Sequence, residues 1–228
     1  MRGVTLMSLA CLLCGASAVR GQTLTPSDAA EGARFAAAVR AAVQGGYAHA
    51  VVVGHGEGAM DSLFALTAER GGSGVLIVLA ESGTRRTRVA ELERARTPAD
   101  LGLRGIRLEP FLGSSDLVDV VVRHEPFQLE TSRSFTTHHL VRRGAAGLEA
   151  ACEFAGEASS SSSKGIGSVT STRSVTVEPA AGGPGRRFAV RIVDETTERS
   201  RQAPPVVTAH ADSTIRFELP AAGSCRPF

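Results

Sequence analysis

SLFALTA, residues 62–68, is the stretch on which the fold turns. Met60, Leu63, Phe64 and Thr67 recur at the spacing of one helical face, whereas Leu63-Phe64-Ala65-Leu66, taken as an unbroken apolar run, suits a strand covered on both faces. Apolar segments flank it at 48–53 and 74–80, set off by glycine-rich breaks at 54–58 and 70–74. VLIVLA at 75–80 is short and rich in β-branched residues, which marks a strand. A helix at 62–68 therefore gives a strand-helix-strand unit, and a strand there gives an antiparallel meander.

Upstream, Ser27 or Asp28 caps a helix predicted over 27–45, with Glu31 in the first turn where a negative charge favours the helix dipole. Its apolar face is centred on Phe35, Val39 and Val43, and Gly45-Gly46 ends it. Downstream, residues 84–96 are charged and read either as a helix carrying Val89 and Leu92 on one face or as an edge strand, closed by Pro98. Residues 105–110 form a short alternating strand. From Leu117 onward the pattern is plainly β: strands at 117–123 and 135–142, then apolar residues at every second position in Leu148, Ala150, Cys152 and Phe154. The period of two continues through 169–177, Phe188-Val190-Ile192, Val206-Val207, and Ile215-Phe217-Leu219. Turn-rich joints at 179–185 and 199–205 separate these runs. A sheet with one buried face reads this way.

The first 18 residues have the layout of a secretory signal: Arg2, an apolar run from Val4 to Cys14, and small residues at Ala16 and Ala18. The run is too short to span a bilayer, so no transmembrane span is expected. Removal after Ala18 leaves a linker at 19–26 and one domain at 27–228; Leu9-Ala10-Cys11 offers lipid attachment as the alternative. Of the four cysteines, Cys11 and Cys14 leave with the signal. Cys152 and Cys225 remain, and an exported pair is expected to form a disulfide worth roughly 4 kcal/mol on the chain-entropy model. Charge is nearly balanced, 25 Lys and Arg against 23 Asp and Glu, with no basic block of the kind nucleic acid requires. One tyrosine and no tryptophan speak against a sugar-binding groove or a base-stacking surface.

GHGEG, residues 54–58, follows an apolar run and precedes the ambiguous segment. With its flanks at 48–82 it resembles the elbow region of α/β-hydrolases, in which a strand, a sharp Gly-x-Ser-x-Gly turn and a helix follow in order. The resemblance implies an inactive hydrolase-like fold, because Gly56 stands where that family has its nucleophile. The bland reading gives Gly54, Gly56 and Gly58 positive φ values in a turn. No Lys-Ser/Thr follows, and the third glycine comes one residue too early for a dinucleotide fingerprint, so no cofactor is expected.

His138 and His139 project to opposite faces of a strand, so they cannot easily serve one metal; His124 could meet one of them across neighbouring strands. The simpler expectation is that they occupy the polar face of a sheet. Asp116 and Asp119 loosely resemble a degenerate calcium loop but lack its alternating acids. Glu125, Glu130, Glu149, Glu153 and Glu157 read as solvated strand positions rather than a glycosidase pair. The Ser-rich stretch 158–167 reads as an exposed loop, the place expected for contact with a protein or small-molecule partner. The sequence thus predicts an α+β or mainly β protein in which an N-terminal helix packs on an antiparallel meander curling into a sandwich or open barrel. Its expected role is an exported, non-catalytic binding or structural one, the alternatives being the hydrolase-like protein and a weak His-based metal module.

Overall fold

A computed structural model describes residues 24–57, 62–80, 103–114, 116–126, 131–144, 147–164, 167–180, 186–200, 203–221 and 223–228. The signal segment, the stretch 84–96, Gly58, Met60 and Glu130 lie outside the described residues. Helix α1 spans Ala29–Gln44 and is capped by Asp28, whose side chain accepts a hydrogen bond from the Glu31 backbone. Ser62 and its neighbours form a strand, so the meander is the correct reading. β1 (Ala48–Glu57), β2 (Ser62–Arg70) and β3 (Ser73–Ala80) make a three-stranded antiparallel sheet in chain order.

The run at 62–68 lacks alternation because it is buried on both sides. Phe64, Leu66 and Ala68 face α1, where they meet Phe35, Ala38 and Ala42 together with Val75 and Ile77 of β3. Leu63 and Ala65 face the other way, with Val53, Leu76 and Val78, against a second sheet. Phe64 and Leu66 are 2% and 0% exposed, and each such side chain contributes about 2 kcal/mol by leaving water.

The second sheet is an eight-stranded antiparallel meander in chain order: β4 (Leu103–Pro110), β5 (Leu117–His124), β6 (Thr131–Gly144), β7 (Gly147–Lys164), β8 (Gly167–Pro179), β9 (Arg187–Ser200), β10 (Val206–Glu218) and β11 (Arg226–Pro227). Its inner face, with Ile106, Leu108, Val120, Val122, Val141 and Leu148, packs on the small sheet. The order is helix, sheet, sheet.

Gly54 and Gly56 lie inside β1 rather than in a turn, and neither has a positive φ. Close approach explains them: a Cβ on Gly56 would stand 2.7 Å from the Leu108 Cβ, and one on Gly54 would stand 3.1 Å from the Leu108 Cδ1. Gly71 and Gly72, with φ of 60° and 78°, make the turn between β2 and β3.

The Ser-rich stretch is also a correction, because residues 158–164 continue β7. They pair with 131–135 of β6 on one side and with 167–173 of β8 on the other. Serine has little intrinsic preference for a strand, but two complete backbone ladders hold this one. Val206-Val207 and Ile215-Phe217 likewise belong to the single strand β10, interrupted by a bulge between Val207 and Ala209.

β7 and β8 part company at Ala158 and Arg173, the last residues of their shared ladder, while β8 stays with β9 along its whole length. Beyond that point β8–β10 cover the outer face of β5–β7. Leu140, Cys152 and Phe154 there meet Phe188 and Val190 of β9, Phe217 of β10 and Leu219 just past it. Phe154 and Phe188 ring centroids are 5.8 Å apart. Cys152 and Cys225 form the expected disulfide, and the Cys225 backbone N–H donates to the Ala151 carbonyl at 2.6 Å. The Arg142 guanidinium, 9% exposed, donates to the carbonyls of Pro220 and Gly223, fixing the tail from below. Among the described residues no helix is long and apolar enough to cross a membrane.

Candidate functional site

The divergence of β7 from β8 opens a groove on the face of the large sheet that turns away from the small one. Gly105 pairs with Arg123 and Arg107 with Val121, so these four share that face, opposite Ile106, Val120 and Val122 of the core. The groove encloses about 710 Å³, and Arg107, Arg123, Thr136, Glu157, Thr172 and Arg173 line it. A register shift between Phe135 and Thr137, opposite residues 155–158, bends β6 and β7 where Thr136 and Glu157 enter the lining. Phe135 is the aromatic of the lining and stacks on His124 with ring centroids 4.5 Å apart.

Among the described residues the lining carries three guanidinium groups, Arg107, Arg123 and Arg173, against the one carboxylate of Glu157. Arg107 lies 3.5 Å from Glu109 and Arg123 lies 2.8 Å from Glu125, both as neighbours along one strand; the two arginines remain 70% and 60% exposed. Such exposed pairs hold their partners weakly, so both guanidinium groups can turn to a ligand. Arg173 differs: it forms a two-pronged pair with Asp194 at 2.8 and 3.0 Å. That hydrogen bonding raises the Arg173 pKa and lowers that of Asp194.

Beside the groove lies a buried pair, His138 Nδ1 to Asp119 Oδ2 at 2.7 Å. The His138 ring stacks flat on Phe154, centroids 4.7 Å apart. Burial raises the Asp119 pKa, and the hydrogen bond from His138 offsets part of that rise. Asp119 Oδ1 finds no hydrogen-bond partner among the described residues. The other edge of the imidazole points toward Gly156, where a Cβ would stand 2.6 Å from Nε2 and would also strike the Thr136 hydroxyl. Gly156 thus makes the room in which His138 and Thr136 approach each other at the end of the groove.

His138 and His139 do face opposite ways. His139 and His124 are 5% and 2% exposed, and both reach the Thr137 hydroxyl, at 3.0 and 3.2 Å from Nε2. His139 is therefore a core residue rather than a polar-face one. Burial, reinforced by the neighbouring His124 and His138, drives its pKa down to about 4. Among the described residues no three His, Cys, Asp or Glu side chains gather to hold a metal ion. Asp116 sits apart from Asp119, hydrogen-bonded to Ser114 at 2.5 Å. Glu149 lies 3.6 Å from Arg142 and Glu153 lies 3.7 Å from His139, so of the described acidic positions singled out in the sequence only Glu157 lines the groove.

Residues 54–57 form no elbow, since they belong to β1 in an antiparallel pairing in which Gly56 opposes Leu63. His55 stacks on Phe64 with centroids 5.0 Å apart, and its Nδ1 lies 3.4 Å from Glu31. One Arg34 nitrogen lies 3.2 Å from His55 Nε2 and also donates to the Ser62 hydroxyl. The cluster ties α1 to the edge of the small sheet.

Reading strands as two-faced places Arg107, Arg123 and Thr136 on outward positions but does not bring them together. Their convergence depends on where the β7–β8 ladder stops. No known family, curated protein or solved structure matches this chain, so the site rests on its own geometry.

Proposed function

We propose that this is an exported, non-catalytic binding protein that takes a small hydrophilic anion in the groove between β4 and β8. The observation that carries the reading is the convergence of Arg107, Arg123 and Arg173 on a cleft whose described residues include one carboxylate, Glu157. Hydroxyls from Ser134, Thr136, Ser159, Thr172 and Ser174 supply further donors and acceptors around it. Guanidinium groups recognise carboxylate and phosphate oxygens through paired N–H donors. Among the described residues the groove has one aromatic, Phe135, which favours a compact polar ligand over a flat or greasy one. Export rests on the secretory layout of the first 18 residues, and the Cys152–Cys225 bridge suits an oxidising compartment.

Titration calorimetry with citrate and with inorganic phosphate tests the proposal. Binding of either by the wild-type chain, weakened about tenfold or more by Arg123→Ala with the melting temperature unchanged, supports it. No heat from either anion, or an affinity indifferent to both Arg107→Ala and Arg123→Ala, overturns it.

A further inference from the structure

We propose that β10 pairs antiparallel with β10 of a second copy of this chain, in the register centred on Ala211. The strand bonds to β9 along its length, but β11 covers its other edge only at Phe217 and Glu218. The Phe228 N–H donates to the Arg216 carbonyl at 3.0 Å, which fixes the parity: Arg216 directs its backbone groups away from β9. By the two-residue period, so do Thr214, Asp212 and His210. Among the described residues no strand takes up this edge over 206–215. An open edge is usually blunted by proline, lysine or a bulge. β10 has neither proline nor lysine, and its bulge lies at one end, between Val207 and Ala209.

The Asp212 carboxylate and the donors that can meet it select both the partner and the register. Hydrogen bonding across a two-fold axis requires even-numbered residues to face even-numbered ones. Centring on Asp212 sets that carboxylate against itself, and centring on Ser213 moves Asp212 opposite Thr214 and leaves the His210 imidazole facing Arg216 with no carboxylate acceptor. Centring on Ala211 sets His210 of each copy against Asp212 of the other, and Thr208 against Thr214. Both His210–Asp212 pairs then exchange two backbone hydrogen bonds and bring an imidazole N–H donor and a carboxylate acceptor together on one face. Asp212 is already charged and oriented, because Arg191 beneath it bonds both carboxylate oxygens and lowers its pKa. No β10 residue lines the groove, so this assembly stands apart from ligand binding.

Two measurements on the full mature chain test it. Sedimentation of the wild-type protein at about 100 μM should show a dimer, and His210→Asp should weaken dimerisation about tenfold while leaving the circular dichroism spectrum unchanged. Ala211→Cys places one sulfur of each copy at the axis, where Cα atoms of such a pair stand about 4.5 Å apart. Mild oxidation should link this variant into a covalent dimer, whereas Ser213→Cys, set against Ala209, should stay single. A monomeric wild-type chain, a dimer indifferent to His210→Asp, or equal linkage at 211 and 213 overturns the proposal.

Discussion

Removing the imidazole at position 139 should flatten the acid sensitivity of this fold. His139 is 5% exposed, and its Nε2 shares the Thr137 hydroxyl with His124. Protonation would place a charge among buried strands beside a second imidazole, so its pKa falls from 6.5 to about 4. The folded-state pKa is the lower one, so the unfolded chain takes up the proton first as pH drops. The stabilisation is complete above the unfolded value and is lost as pH falls toward the folded one. Linkage between 6.5 and about 4 gives a loss of about 2.5 kcal/mol by about pH 4.5. Asp119 has the opposite sign, since its raised pKa makes the folded state the better proton binder in acid, but it is common to wild type and variant. Urea unfolding at about pH 7.5 and about pH 4.5, followed by circular dichroism, isolates the His139 share. His139→Gln keeps a donor near Thr137 and cannot titrate. The wild type should lose about 2.5 kcal/mol more than His139→Gln between the two conditions. Equal losses in both proteins would refute the reasoning.

Other expectations follow from packing and covalent structure. Gly56→Ser drives a side chain into Leu108; it should cost about 1–3 kcal/mol in urea unfolding and release no aryl alcohol from an aryl ester. Reduction of Cys152–Cys225 should lower the unfolding free energy by roughly 4 kcal/mol if the chain-entropy model holds, measured by parallel denaturation with and without reductant. Leu66→Ala, at a position with no exposed surface between the sheet and α1, should cost about 2–5 kcal/mol by the same assay. Intact mass of the exported chain should correspond to a start at Val19, and a mass retaining residues 1–18 would refute the signal assignment.

Much of the architecture was legible because most strands carry apolar residues in a short, turn-bounded run. Leu148, Ala150, Cys152 and Phe154 showed a strand but not its faces: a register shift opposite Leu140 and Val141 puts Leu148 on the inner face and Cys152 and Phe154 on the outer one, and leaves Ala150 exposed. The cap at Asp28 and the stop at Gly45-Gly46 were legible because they act within one turn. Ser62–Arg70 was ambiguous for a physical reason: Phe64 and Leu66 pack on α1 while Leu63 and Ala65 pack on a sheet, so no polar position marks the period. The serines of β7 read as a loop because their order comes from neighbouring ladders and not from their own side chains. Gly54 and Gly56 suggested a turn, yet what excludes a side chain there is Leu108, more than 50 residues away along the chain. The groove was least legible of all, since five strands contribute to it and its opening is set by the end of one ladder.

The bond between Cys152 and Cys225 joins residues 73 apart and encloses most of β7 together with β8, β9 and β10. Mechanical load applied to the two ends of the chain passes through that covalent link and bypasses everything inside it. Pulled in an optical trap, the protein should extend in two instalments. Residues outside the loop lengthen first, and the enclosed segment adds about 250 Å, at about 3.4 Å per residue, only after a reductant is introduced. Half of the large sheet would thus bear no tension while the rest unravels.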